Sequence, residues 1–191
     1  MSVFDYLAVQ LSIIMGLGVT HILTGLSKTI HYRRTLRLFW VHTLWAFNIL
    51  AYIVIIWWGM FWWFTQHQWS FFLFLLLILY AIVLFLSASL LFPWDLPQDF
   101  DFETHFFATR PWFFAILAIA WGIDIPETVL KAEGGLRALP RGYLVFVIIQ
   151  VTLALVGVVT SNRRFHRTFA VLWPLYTLGY VSITTLAEIA A

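Results

Sequence analysis

The chain has 191 residues, of which 62% are hydrophobic and only 10% charged, with a mean hydropathy of +0.90. A soluble domain carries about 25% charged residues, so a water-soluble globule is excluded, and a net charge of +2 offers no basic field for nucleic acid. The absence of cysteine excludes disulfides, iron–sulfur clusters and thiolate zinc sites.

A helix needs about 20 apolar residues to cross the hydrocarbon core, and six long apolar stretches follow one another along the chain. They predict one all-α domain over residues 1–191, a polytopic transmembrane helical bundle of about six membrane-spanning helices. The spans are expected at Val3 to Leu26, Leu38 to Trp63, Phe71 to Phe92, Trp112 to Leu130, Tyr143 to Ser161 and Phe169 to Glu188. These stretches are too uniformly apolar for a membrane β-barrel, whose strands alternate. The first lacks a basic n-region and a small-residue cleavage site, and it outruns a signal h-region, so it reads as a retained helix.

On helix one, Ser12, Gly16, Thr20 and Thr24 recur every four residues and form a small-residue ridge, the pattern that lets membrane helices approach closely. Whether the ridge packs within the chain or against another copy is open. A neighbouring face carries Gly18, His21 and Gly25. His21 near the end of helix one and His42 near the start of helix two fall at similar depth in an antiparallel hairpin. Facing imidazoles can relay protons, bind a metal or ligate haem b. The commoner arrangement is a buried histidine bonded to backbone or hydroxyl groups.

The positive-inside rule uses the loops. Lys28, Arg33, Arg34, Arg37, Arg110, Arg163, Arg164 and Arg167 lie on one side against Lys131, Arg137 and Arg141 on the other. This places both termini outside and the arginine-rich loops in the cytoplasm. Arg33, Arg34 and Arg37 share their spacing with Arg163, Arg164 and Arg167. The triplets serve as topology signals, as anionic-lipid contacts, or as the trace of a duplicated hairpin. Trp57, Trp58, Trp62, Trp63 and Trp69 crowd the break between helices two and three and read as an interfacial belt rather than a ligand cage.

Between Pro93 and Pro111, Asp95, Asp99, Asp101, Glu103 and His105 suggest hard-cation ligands, but the spacing of a calcium loop is absent. Asp101 fits better as an N-cap with Glu103 in the first turn of a short interfacial helix. Phe100, Phe102, Phe106 and Phe107 of that helix are expected to dip into the membrane.

Asp124 and Glu127 lie three apart on helix four, with Pro126 between them and Gly122 before. Residues at that spacing share a face, and proline frees a carbonyl one turn back. Carboxylates beside freed carbonyls are the ingredients of a proton or cation site, and ionisable groups at membrane depth are functional pointers. Asp5 and Glu188 fall near helix ends on the same side. The simpler reading ends helix four near Ile125 and makes Pro126 and Glu127 ordinary interface residues.

Gly16-Leu17-Gly18-Val19-Thr20-His21, Leu38-Phe39-Trp40-Val41-His42-Thr43-Leu44-Trp45, Leu91-Phe92-Pro93 and Arg110-Pro111-Trp112-Phe113-Phe114 resemble segments of small uncharacterised bacterial integral membrane proteins. The resemblance implies a multi-pass protein of the bacterial inner membrane and carries no activity with it. Nucleotide-binding, nucleophile-elbow and zinc-protease motifs are absent, so no catalytic residue, metal or cofactor is expected, with haem b a minority alternative. The leading expectation is a homo-oligomeric proton or cation transport or channel protein in the lipid bilayer. The first alternative is a membrane scaffold, sensor or anchor for a protein partner, and the second is a bis-histidine haem electron carrier.

Overall fold

The computed structural model describes residues 3–66, 69–97, 99–132 and 135–189. It contains six α-helices: α1 (Val3–His31), α2 (Trp40–Met60), α3 (Phe71–Ser89), α4 (Phe102–Lys131), α5 (Tyr143–Val159) and α6 (Arg163–Ile189). Short 3-10 turns at Phe61–Thr65 and Gly135–Ala138 complete the regular structure. No strand occurs among the described residues, only an isolated bridge between Arg37 and Asp101. Four segments, Val3–His31, Trp40–Phe64, Phe71–Ser89 and Phe102–Lys131, are long and apolar enough to cross a membrane. The chain is an all-α helical bundle, and these four helices mark it as an integral membrane protein. At 17 residues α5 is shorter, about 26 Å against a core of about 30 Å.

Helix α2 sits at the centre, touching α1, α3, α4 and α6. The most extensive contacts join α4 to α5, α1 to α3 and α3 to α4. Close approach is made by glycine at three places. Gly18 of α1 lies where a Cβ would stand 3.4 Å from Ala88 and 3.5 Å from the Phe85 backbone. A Cβ on Gly25 would collide with the Phe92 ring, and one on Gly157 of α5 would come within 2.8 Å of Phe114. The ridge of Ser12, Gly16, Thr20 and Thr24 is not the close-packed face of α1. Thr20 and Thr24 are exposed, and a Cβ on Gly16 would meet nothing within 4 Å. Leu7, Leu11, Met15, Ile22 and Thr29 join Gly18 and Gly25 on the packed face.

Several expected boundaries move. Helix α4 begins at Phe102 rather than Trp112 and passes through both Pro111 and Pro126 to Lys131. The short interfacial helix and helix four are therefore one element. Asp101 is its N-cap, accepting from the amides of Glu103 at 2.9 Å and Thr104 at 3.2 Å. Its upstream end is anchored as well: the amide of Arg37 donates to Phe100 and that of Phe102 to the Arg37 carbonyl. The phenylalanines do not dip into lipid as a set. Phe102 and Phe106 are buried in the protein, and Phe100 and Phe107 are half-buried against its core. Likewise α6 starts at Arg163, because Asn162 Oδ1 caps the Arg164 amide at 2.9 Å. The two arginine triplets, alike in spacing, differ in structure. Arg163, Arg164 and Arg167 are helical, whereas Arg33, Arg34 and Arg37 lie in the connection after α1.

These connections share one end of the bundle. Arg37 pairs with Asp101 at 3.8 Å and Arg163 with Glu103 at 3.1 Å. Arg110 caps the end of α5, donating to the Val158 carbonyl at 2.9 Å and to Ser161 Oγ at 2.7 Å. Exposed ion pairs of this kind contribute little stability, about 0–1 kcal/mol each. What they mark is geometry: the connections α1–α2, α3–α4 and α5–α6 lie together.

Candidate functional site

At the opposite end, α4 carries Asp124 and Glu127 on its buried face, and both are enclosed. Continuation of α4 past Pro126 corrects the simpler reading that ended it near Ile125, and it turns Glu127 inward. Proline lacks an amide hydrogen and so leaves the Gly122 carbonyl without its helical donor, yet the surrounding helices hold the segment helical.

Asp124 is ringed by phenols. Tyr80 of α3 donates to Oδ1 at 2.8 Å, and Tyr143, the first residue of α5, reaches Oδ2 at 2.7 Å. Tyr143 also lies 2.8 Å from the Asp124 carbonyl oxygen. Tyr52 of α2 lies 3.0 Å from the Tyr80 hydroxyl. A phenol has one proton, so with Tyr80 donating to Asp124, Tyr52 is the donor to Tyr80. A directed chain results, Tyr52 to Tyr80 to Asp124, drawn from three helices. All three tyrosines are buried.

Glu127 sits one turn further along α4. Its Oε1 accepts from the Trp63 indole at 2.9 Å and pairs with Lys131 Nζ at 2.6 Å. Lys131 also donates to the Gly59 carbonyl at 3.2 Å and lies 5.8 Å from the centre of the Trp63 ring. The ammonium thus ties the last turn of α4 to the end of α2. The predicted belt divides: Trp57, Trp58 and Trp62 are exposed and Trp69 is half-buried against the core, while Trp63 is 1% exposed and serves the carboxylate. Asp5 lies on the exposed first turn of α1, apart from the hydrogen bonds described for Asp124 and Glu127. Glu188 falls near the end of α6, where side chains lie outside the described residues.

The histidines belong to the arginine-rich end and do a different job. His21, His42 and His105 reach three consecutive carbonyl oxygens just beyond α3. His105 Nε2 lies 3.3 Å from Leu90, His42 Nε2 lies 2.5 Å from Leu91 and His21 Nε2 lies 3.0 Å from Phe92. Carbonyls buried in a connection need donors, and here imidazoles from α1, α2 and α4 supply them. His21 and His42 do share a depth, as their positions in the hairpin predict. Ligation of haem through Nε2 would require each to leave its carbonyl. Among the described residues no three His, Asp or Glu side chains are grouped as for a metal ion.

Along α2, the buried residues between His42 and Tyr52 are Trp45, Ala46, Asn48 and Ile49. Asn48 donates to the Ala170 carbonyl at 2.9 Å. No hydrogen bond among the described residues joins the histidines to the Asp124 group.

Sequence reasoning found Asp124, Glu127, His21 and His42, gave Trp63, Lys131 and His105 other roles (belt, loop charge, cation ligand), and missed Tyr52, Tyr80 and Tyr143. A tyrosine within a long apolar run was the available signal, since a buried phenol needs a partner. Lys131 stands four residues after Glu127, the spacing of a helical ion pair. Compared with family models, curated proteins and solved structures, the chain finds no match, so the chemistry of this site alone carries the functional reading.

Proposed function

We propose that this chain is a small transport or channel protein for protons or cations, with Asp124 and Glu127 as the groups that take up the ion. One observation carries the reading: two carboxylates are enclosed together, and among the described residues only Lys131 forms an ion pair with them, at Glu127. A buried charge must be paired or neutralised, so the cluster requires one further positive charge, a proton or a cation. The Tyr52–Tyr80 chain offers a hydroxyl route to Asp124. His21 and His42 would act at the opposite end, and opening a path between the two ends requires a second conformation. The same reading puts the protein in the bacterial cytoplasmic membrane with its arginine-rich end inside and both termini outside. It also has copies associating through the Ser12 and Gly16 part of the ridge. Basic residues concentrated at one end support the orientation.

A second reading has its own observation. The bonds of Asp124, Glu127 and Lys131 tie α4 to α2, α3, α5 and the Phe61–Thr65 turn. That is the work of a structural clip in a membrane scaffold or anchor with an external protein partner. Ion flux in liposomes separates the two. Under the transport reading, wild-type protein dissipates a proton or cation gradient, and Asp124→Asn with Glu127→Gln abolishes flux while the protein remains inserted and folded. Folded, inserted wild-type protein with no flux under any imposed gradient removes the transport reading and leaves the scaffold.

A further inference from the structure

A crevice of about 310 Å³ opens between the second half of α1 and the connection that follows α3. Leu17, Phe85 and Phe92 make its walls, while Thr20, Thr24 and Lys28 bring polar groups to one side of α1. Trp94 closes the rim: its ring lies 4.8 Å from that of His21, and its carbonyl accepts from Lys28 Nζ at 3.2 Å. We propose that this crevice is a binding site for one anionic phospholipid, with its phosphate at Lys28 and Thr24 and one acyl chain running along α1 toward Leu17.

Charge complementarity comes first. Lys28 has three N–H donors and the Trp94 carbonyl takes one, so donors remain for a phosphate oxygen. The Thr24 hydroxyl has no hydrogen-bond partner among the described residues, whereas Thr29 gives its own back to the Gly25 carbonyl at 2.8 Å. Depth agrees as well. Lys28 and exposed Trp94 form a basic and an aromatic group at one level, the pairing found where headgroups meet hydrocarbon. From Lys28 to Leu17 the helix rises about 16 Å, close to the roughly 15 Å of hydrocarbon in one leaflet. The apolar walls would leave a free phosphate without contacts below the rim, and a zwitterionic lipid would bring its own cation toward Lys28. A phospholipid with a net negative headgroup satisfies both halves of the crevice.

The test is native mass spectrometry of the full chain released from mild detergent after exposure to phosphatidylglycerol or to phosphatidylcholine with the same acyl chains. The expected result is one phosphatidylglycerol retained per chain, about fivefold over phosphatidylcholine, the factor that one basic residue contributes at a membrane surface. Lys28→Gln removes that preference. Thr24→Val, at an exposed position, weakens retention of phosphatidylglycerol, and Thr20→Phe fills the crevice and abolishes retention of both lipids. The unfolding midpoint of each variant confirms that the bundle is intact. Equal retention of the two lipids by wild-type protein overturns the proposal. Displacement of the lipid by excess glycerol 3-phosphate overturns it in favour of a soluble phosphate. A change in oligomer mass on Thr20→Phe with lipid retention unchanged assigns the face to a second copy instead. None of these outcomes depends on whether the Asp124 cluster moves ions.

Discussion

Tyr80 is the pivot of the acidic cluster, because its single hydroxyl serves Asp124 on one side and Tyr52 on the other. Replacing it by Phe removes a donor from a buried carboxylate and strands a second buried hydroxyl. Unmade buried hydrogen bonds cost about 1–3 kcal/mol, so Tyr80→Phe lowers the unfolding midpoint in detergent, and an unchanged midpoint would show that the phenols are idle. Lys131→Met has a larger effect, since removing one partner of an enclosed ion pair costs about 3–5 kcal/mol. Adding Glu127→Gln to Lys131→Met restores most of that loss, because the stranded charge is then gone; a double variant no more stable than the single one would contradict the pairing. At the other end, the amides of Thr104 and Glu103, with Arg37 nearby, hold the Asp101 carboxyl below its ordinary value of 3.8. A group whose value is lowered on folding stabilises above its unfolded value and loses that contribution as the pH falls through the folded one. The first turn of α4 therefore frays in acid, below pH 3.8. Amide exchange at Glu103 and Thr104 reads this directly, and Asp101→Asn keeps a capping oxygen while removing the pH dependence.

Glycine positions separate the two faces of α1. Gly25 lies against the Phe92 ring, whereas Gly16 faces open space. Gly25→Ala forces an overlap in a packed region, where overpacking costs about 1–3 kcal/mol. Gly16→Ala meets no atom and gains helix propensity, up to about 1 kcal/mol. Thermal unfolding should move in opposite directions for the two, and a matching loss at Gly16 in dilute protein would place a contact on the ridge. Four-residue spacing revealed the ridge but not the direction it faces, because direction depends on which side of α1 meets α2 and α3. The boundaries of α4 were hidden for a related reason. Pro111 and Pro126 are local helix breakers, whereas contacts that support the helix beyond Pro126 come from elsewhere in the chain: Lys131 Nζ reaches the Gly59 carbonyl and the Trp63 indole reaches Glu127.

At the scale of the molecule, the ion pairs Arg37–Asp101 and Arg163–Glu103 gather the arginine-rich connections at one end, and Asp124, Glu127 and Lys131 lie toward the other. Because the chain has no cysteine, single substitutions report sidedness without background. Under the proposed orientation, Arg34→Cys should react with an impermeant maleimide only after the cytoplasmic face is opened, and Ser70→Cys should react from outside. Labelling of both from one face would break the antiparallel arrangement of α1, α2 and α3, and the reverse pattern would invert the orientation.

Composition and apolar run length by themselves determined that this is an all-α membrane bundle, because a bilayer admits only segments that satisfy their own backbone groups. They also singled out Asp124 and Glu127, since a carboxylate inside an apolar run is costly wherever it points. Only the tertiary structure decided what those carboxylates meet. Tyr52, Tyr80 and Tyr143 come from three other helices, and nothing in their local sequence distinguishes a phenol turned toward Asp124 from one turned toward lipid. The histidines show the same division. Their depth follows from the hairpin, but their shared role in satisfying the carbonyls of Leu90, Leu91 and Phe92 depends on α1, α2 and α4 converging on the end of α3. In lipid, where apolar surface can stay outside without penalty, hydrophobic pattern no longer says which face turns inward. That choice is made by close packing and by the hydrogen bonds polar groups find across helices.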